Sequence, residues 1–143
     1  MATTGHTVKA FDEDLDQLRA SIAEMGGLAE SAIGESMRAL MQRDTDAAAR
    51  VVENDKKIDT IEAEVERRAV QLIALRAPMA DDLRDVVAAL KIAGVVERIG
   101  DYAKNIAKRT GVLSTMPQVS SSPGSLRRMG KAVELMLKDA LDS

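Results

Sequence analysis

The stretch ALRAPMADDLRDVV, residues 74–87, decides the fold because it interrupts an otherwise continuous helical pattern. Pro78 disfavours helical geometry at the preceding residue, Ala77. Asp81 and Asp82 follow at positions where the first turn of a new helix favours negative charge. The stretch therefore predicts a short turn between two helices that run antiparallel.

On both sides of this turn, apolar residues recur every three or four positions, which is typical of amphipathic helices. A first helix is predicted from Phe11, and a second runs from a capping residue, Asp44, to about Leu75. A third helix is predicted to continue to about Thr110. We therefore expect an all-α fold, an antiparallel three-helix bundle with short connections.

Changes in composition divide the chain into four segments. A polar, frayed N-terminus is expected over residues 1–10, and the three-helix unit over residues 11–112. Proline, glycine and a run of serines predict a linker over residues 113–124. The remaining segment, residues 125–143, has the pattern of one further helix.

The composition also excludes several classes of function. The 143 residues include no cysteine and one histidine, so disulfides, thiolate metal sites and the usual nucleophile–base pairs are not expected. A formal net charge of −3 argues against a nucleic-acid-binding surface. No run approaches the roughly 20 apolar residues that span a bilayer, so membrane insertion is not expected either.

Acidic side chains form two stripes on the predicted helices. Their members are Glu97 and Asp101, continued by Asn105, on the third helix, and Asp55, Asp59, Glu62 and Glu66 on the second. On the third helix, a projection at about 100° per residue sets this stripe opposite an apolar face. That predicted face consists of Ile92, Val95, Val96, Ile99, Ala103 and Ile106. We therefore expect the acids to face solvent or a partner.

The two stripes are predicted to meet at matching heights. An antiparallel turn near Pro78 sets Asp59 beside Glu97 and Asp55 beside Asp101. Carboxylates without histidine or cysteine suit hard cations such as Mg²⁺, Mn²⁺, Ca²⁺ or ferric iron. Acids on a helix face are also commonly just a solvated surface, and the spacing leaves both interpretations open. The candidate metal ligands are Asp55, Asp59, Glu62, Glu97 and Asp101.

Four segments, in order and spacing, resemble the PhoU family of bacterial phosphate-uptake regulators. They are EMGGLAESAI (24–33), NDKKIDTIE (54–62), ALRAPMADDLRDV (74–86) and ERIGDYAKNIAKR (97–109). The resemblance implies an all-helical, non-enzymatic protein built from two tandem three-helix repeats. It also implies surface metal clusters on Glu/Asp-x-x-x-Asp motifs, which here fall on Asp55 with Asp59 and on Glu97 with Asp101.

The implied function is negative regulation of the phosphate-starvation response. A PhoU-like protein is expected to act in the cytoplasm, or at the inner membrane through its partners. Those partners are a sensor histidine kinase and the ATPase of a high-affinity phosphate ABC transporter. The expected metal is Mg, Mn, Fe or Zn. A carboxylate-bridged metallo-enzyme and a ligand-free structural bundle are the alternative interpretations.

The chain departs from the family pattern at its C-terminal end. Residues 125–143 resemble the first helix of the second repeat, so the chain is expected to stop within that repeat. This helix has apolar residues that its own segment leaves uncovered. They are Leu126, Val133, Met136 and Leu137. We therefore expect a homodimer or a larger self-assembly.

Overall fold

A computed structural model describes residues 2–115, with side chains from Val8 onward, and residues 128, 131–132, 134–136 and 138–139. The first range forms three α-helices: α1 (Ala2–Gln42), α2 (Thr45–Arg76) and α3 (Asp81–Leu113). Each helix packs against both others. Because the connections are only residues 43–44 and 77–80, consecutive helices are antiparallel. The predicted all-α bundle is confirmed.

The outer ends of the bundle differ from the sequence-based boundaries. α1 begins at Ala2, within the segment expected to be frayed, and α3 continues to Leu113 instead of ending near Thr110. Neither extension contains a proline. Once a helix is nucleated, each added residue gains a hydrogen bond at little cost, so polar composition alone does not end it.

Both turns are built from the residues that the sequence singled out. The Asp44 side chain caps α2 by accepting a 3.0 Å hydrogen bond from the Ala47 N–H. At the other end, Ala77 adopts a left-handed conformation (φ 43°, ψ 55°) and its N–H donates to the Ile73 carbonyl at 3.0 Å. Pro78 follows immediately, which confirms the predicted break.

The core runs along all three helices, and α3 contributes mainly small side chains to it. The buried residues of α3 are Val86, Ala89, Ala93, Val96, Gly100, Ala103, Ala107 and Thr110. Larger side chains from α1, such as Leu18 and Met25, and from α2, such as Ile58, fill the space opposite. Small residues on the inner face allow α3 to pack closely against its neighbours.

This packing corrects the predicted orientation of α3. Ile92 and Val95, assigned to the inner face, are 49% and 55% exposed. The inner face is instead centred on the alanine and glycine positions, so Glu97 and Asp101 flank the core and are half-buried. The helical projection assigned bulky residues to the inner face, whereas mainly small residues of α3 contact α1 and α2.

Beyond residue 115, the described residues between Arg128 and Asp139 are helical. Lys131 and Glu134 lie beside α1, where they line a cavity of about 330 Å³ with Gly34 and Met37. Met136 is 71% exposed, as expected. The predicted linker beyond residue 115 and three apolar residues expected on the last helix lie outside the described residues. Those three are Leu126, Val133 and Leu137.

No helix in the described part of the chain is long and apolar enough to cross a membrane.

Candidate metal centre

The five predicted ligands lie together where α2 packs against α3. They form two groups of three carboxylates, in each of which one oxygen per residue lies within 4.8 Å of the others. The first group is Asp55, Asp59 and Asp101, and the second is Asp59, Glu62 and Glu97. The predicted pairs, Asp55 with Asp101 and Asp59 with Glu97, each fall within one group.

Asp55 is the most deeply placed member of the site. The buried side of α2 advances in steps of three and four residues, and Asp55 occupies one of these inner positions between Val51 and Ile58. Its side chain is 3% exposed, whereas Asp59, one turn later, is exposed. The spacing predicts Asp55 beside the apolar stripe of α2, whereas Asp55 lies within that stripe.

Gly100 makes room for this carboxylate on the facing helix. A Cβ atom at this position would lie 3.1 Å from Asp55 Oδ1 and 3.0 Å from Ile58 Cδ1. Both distances are shorter than ordinary van der Waals contact, so a side chain here would force its neighbours to move. The glycine therefore lets the Asp55 carboxylate lie directly against the α3 backbone.

Few groups of the protein offset the cost of burying the Asp55 carboxylate. Neither of its oxygens has a hydrogen-bond partner among the described residues. Lys104 Nζ is 3.7 Å from Oδ2, which is an ion pair but longer than the 2.7–3.2 Å typical of hydrogen bonds. A buried carboxylate normally requires hydrogen bonds or a cation to offset its desolvation.

Burial and mutual repulsion raise the pKa values of three acids. For Asp55, desolvation raises the pKa most, followed by the charges of Asp59 and Asp101, while Lys104 lowers it. Desolvation also raises the pKa of Glu62, with added repulsion from nearby acids. Desolvation and a side-chain hydrogen bond with Asp101 raise the pKa of Glu97 to about 7. The site thus concentrates negative charge that the protein alone poorly tolerates.

The arrangement fits an oxygen-ligated cation. Two oxygens that both lie about 2.0–2.6 Å from one ion are at most about 4–5 Å apart, which is the spacing within each group. Asp59 belongs to both groups and could bridge two ions. Without histidine or cysteine in either group, the donor set suits Mg²⁺, Mn²⁺, Ca²⁺ or ferric iron better than softer metals.

Sequence reasoning placed the carboxylates but missed two residues that shape their surroundings. Gly100 was not singled out, although a glycine within a predicted helix interior can mark a close backbone approach. Lys104 was not singled out either, although its ammonium group faces Asp55 across the helix interface. Conversely, Glu66 and Asn105 belong to the predicted stripes but to neither group of carboxylates.

Comparison with known proteins agrees with this architecture. Residues 22–110 match the PhoU domain family. The chain is 54% identical over 139 residues to the phosphate-specific transport system accessory protein PhoU homologue of Zymomonas mobilis, covering 97% of this chain and 58% of that protein. The Caulobacter vibrioides homologue is 49% identical over 140 residues, covering 98% and 61% respectively. The chain thus spans about three fifths of these relatives' length.

Two solved structures share the fold. The crystal structure of PhoU from Pseudomonas aeruginosa superposes with a TM-score of 0.88 at 32% identity, covering 92% of this chain and 63% of that chain. PhoU from Streptococcus pneumoniae gives 0.82 at 28% identity, covering 92% and 61%. The relatives are named as accessory proteins of a phosphate-specific transport system, a name that agrees with the expectation of a non-enzymatic protein. The chain belongs to the PhoU family.

Proposed function

We propose that this chain is a metal-binding regulatory protein of phosphate transport, which acts by binding other proteins and not by catalysis. The observation that carries the proposal is the carboxylate site between α2 and α3, which includes the buried Asp55, whose oxygens have no hydrogen-bond partner among the described residues. The relatives' names, as accessory proteins of a phosphate-specific transport system, supply the physiological context.

The proposed partners are a sensor histidine kinase and the ATPase of a phosphate ABC transporter. The chain would link the two in the cytoplasm, or at the inner membrane through them, and so suppress the phosphate-starvation response. Regulation of this kind requires a free-energy difference of only about 1–3 kcal/mol between bound states. A second copy of the chain is a further proposed partner.

The proposed role of the metal is to hold α2 and α3 together at the level of the acids. Asp55, Asp59 and Glu62 come from one helix, and Glu97 and Asp101 from the other. One ion that takes ligands from both helices would replace repulsion between them with attraction. The bound form would then present a more rigid α2–α3 surface than the metal-free form.

Thermal unfolding with increasing Mn²⁺ or Mg²⁺ tests this site. An ion that binds only the folded chain raises its free energy of unfolding by about 2.7 kcal/mol at 100 times its Kd. We expect Asp59→Asn and Glu97→Gln each to abolish most of the resulting rise in Tm. Asp12→Asn and Glu24→Gln are matched controls, because both acids are exposed on α1 and lie outside the site.

The proposed ligands would be wrong if both site variants kept the full metal-dependent rise in Tm. A ligand-free structural bundle makes a different prediction. In that case the double variant Glu97→Gln/Asp101→Asn would be more stable than the wild type, through relieved repulsion, and metal would affect neither protein.

The partner proposal requires a separate measurement. The chain is used as bait in lysates and solubilised membranes from phosphate-replete and phosphate-starved cells, and captured proteins are identified by mass spectrometry. We expect recovery of the transporter ATPase or the sensor kinase. Recovery of neither under both conditions would contradict the proposal that this chain makes those contacts.

A further inference from the structure

Lys104 stands apart from the other basic residues near the acidic site. Among the described residues, it forms the only ion pair with any of the five carboxylates. Basic residues of α2 pair with acids outside the site: Lys56 with Glu53, and Arg67 and Arg68 with Glu64. Within the described part of the chain, the positive charge that pairs with the site therefore comes from α3 and faces the buried Asp55.

The ion pair is loose and open to displacement. Lys104 Nζ lies 3.7 Å from Asp55 Oδ2, and the lysine side chain is 32% exposed. Its four-carbon stem can therefore carry the ammonium group outward to water. An ion ligated by Asp55 would lie about 2.0–2.6 Å from a carboxylate oxygen. With Lys104 Nζ 3.7 Å from Oδ2, two cations would then share one carboxylate and would repel one another.

We propose that Lys104 is a built-in counter-ion that stabilises the metal-free site and competes with metal for the Asp55 carboxylate. This inference rests on the proposed metal-binding function. It adds that Lys104 helps to set the affinity of the site for metal. Metal binding would require Lys104 to move toward solvent, so the lysine weakens metal affinity. The site would then exchange its ion as the metal concentration changes, instead of retaining it permanently.

The proposal predicts two opposite effects of one substitution. Lys104→Met keeps the length and apolar stem of the side chain but removes its charge. Without the ammonium group, the metal-free protein should have a lower Tm, because Asp55 loses its cation. The same change should lower the Kd for metal by about tenfold, which corresponds to about 1.4 kcal/mol. A lysine that merely packed against the site would not produce this combination.

The experiment titrates the full chain with Mn²⁺ alone and measures free Mn²⁺ by electron paramagnetic resonance. Lys104→Arg keeps the charge and should bind nearly as the wild type does. Lys108→Met removes the same charge from an exposed position of α3 that has no ion pair with the site acids in the described residues. If Lys104→Met fails to fold, Lys104→Gln replaces it, since its amide can still donate a hydrogen bond to Asp55.

The outcomes separate this inference from the function on which it rests. Tighter Mn²⁺ binding by Lys104→Met or Lys104→Gln, but not by Lys108→Met, supports it. Equal or weaker binding by the Lys104 variants, with clear binding by the wild type, overturns the counter-ion role and leaves the metal site standing. Absence of Mn²⁺ binding in the wild type and in every variant overturns both.

Discussion

Two regions of the α2–α3 interface share one spacing but use opposite chemistry. Near the turn, α2 contributes Val65, Ala69 and Leu72, which belong to the same core cluster as Val86 and Ala89 of α3. Further from the turn, the same steps of three and four residues bring Asp55 of α2 against Gly100 of α3, before apolar packing resumes with Val51 and Ala103. The turn region excludes water with apolar groups, and the acidic region brings carboxylates together.

This difference separates the residues that stabilise the bundle from those that form the proposed binding site. Burial of apolar area stabilises the turn region at about 25 cal/mol per Å². In the acidic region, desolvation and like-charge repulsion act against folding, and a bound cation would neutralise them. Substitutions in the two regions should therefore have different signatures.

The largest effect on stability is expected in the apolar region near the turn. Leu72 is 3% exposed, so Leu72→Ala should lower the free energy of unfolding by about 3 kcal/mol, through lost burial and a residual cavity. Urea denaturation measures this loss. Leu75→Ala is the control, because Leu75 is 77% exposed on the same helix. Added Mn²⁺ should raise the stability of both variants as much as that of the wild type. A smaller rise in Leu72→Ala would show that the two regions are not independent.

The next largest effect is a pH dependence of stability in the acidic region. The pKa of Glu97 is raised from 4.5 to about 7, so its stabilising contribution is complete below about pH 4.5 and is lost as the pH rises through 7. In EDTA, Glu97→Gln should match the wild type near pH 4.5 and exceed it at pH 8 by on the order of 2 kcal/mol. Urea denaturation at the two pH values measures both differences. A constant difference between variant and wild type would contradict the raised pKa of Glu97.

The smallest effect is expected at the turn that joins the two helices. Ala77 has a positive φ of 43°, which a side chain disfavours and glycine accepts. Ala77→Gly should raise the free energy of unfolding by about 1 kcal/mol, as measured by urea denaturation. Ala74→Gly is the control, because Ala74 is an exposed residue inside α2, where glycine should destabilise. Destabilisation by both substitutions would mean that the turn does not favour glycine at residue 77.

The sequence was sufficient to predict the helices and the proximity of the acids on α2 and α3, because both follow from periodicity and from one proline. Pro78 sets the position of the turn, and the turn determines which residues of α2 and α3 lie at the same level along the bundle. Periodicity did not show how far α3 is rotated, since Ile92 and Val95 look more apolar than the alanines that are buried instead. Nor could it show that Asp55 would lie inside the core, because that depends on the space left by Gly100.

The division of the carboxylates between two helices would make an ion at the proposed site sensitive to displacement of one helix against the other. Asp59 and Glu97 lie on different helices, yet their oxygens must stay within a few ångströms of each other to share one ion. Axial sliding of α2 past α3 by an ångström or two would change the number of oxygens within reach. A protein that pulled on either helix would thereby change metal affinity, and metal would by the same amount change the affinity for that protein. Ion occupancy would then report tension across the bundle.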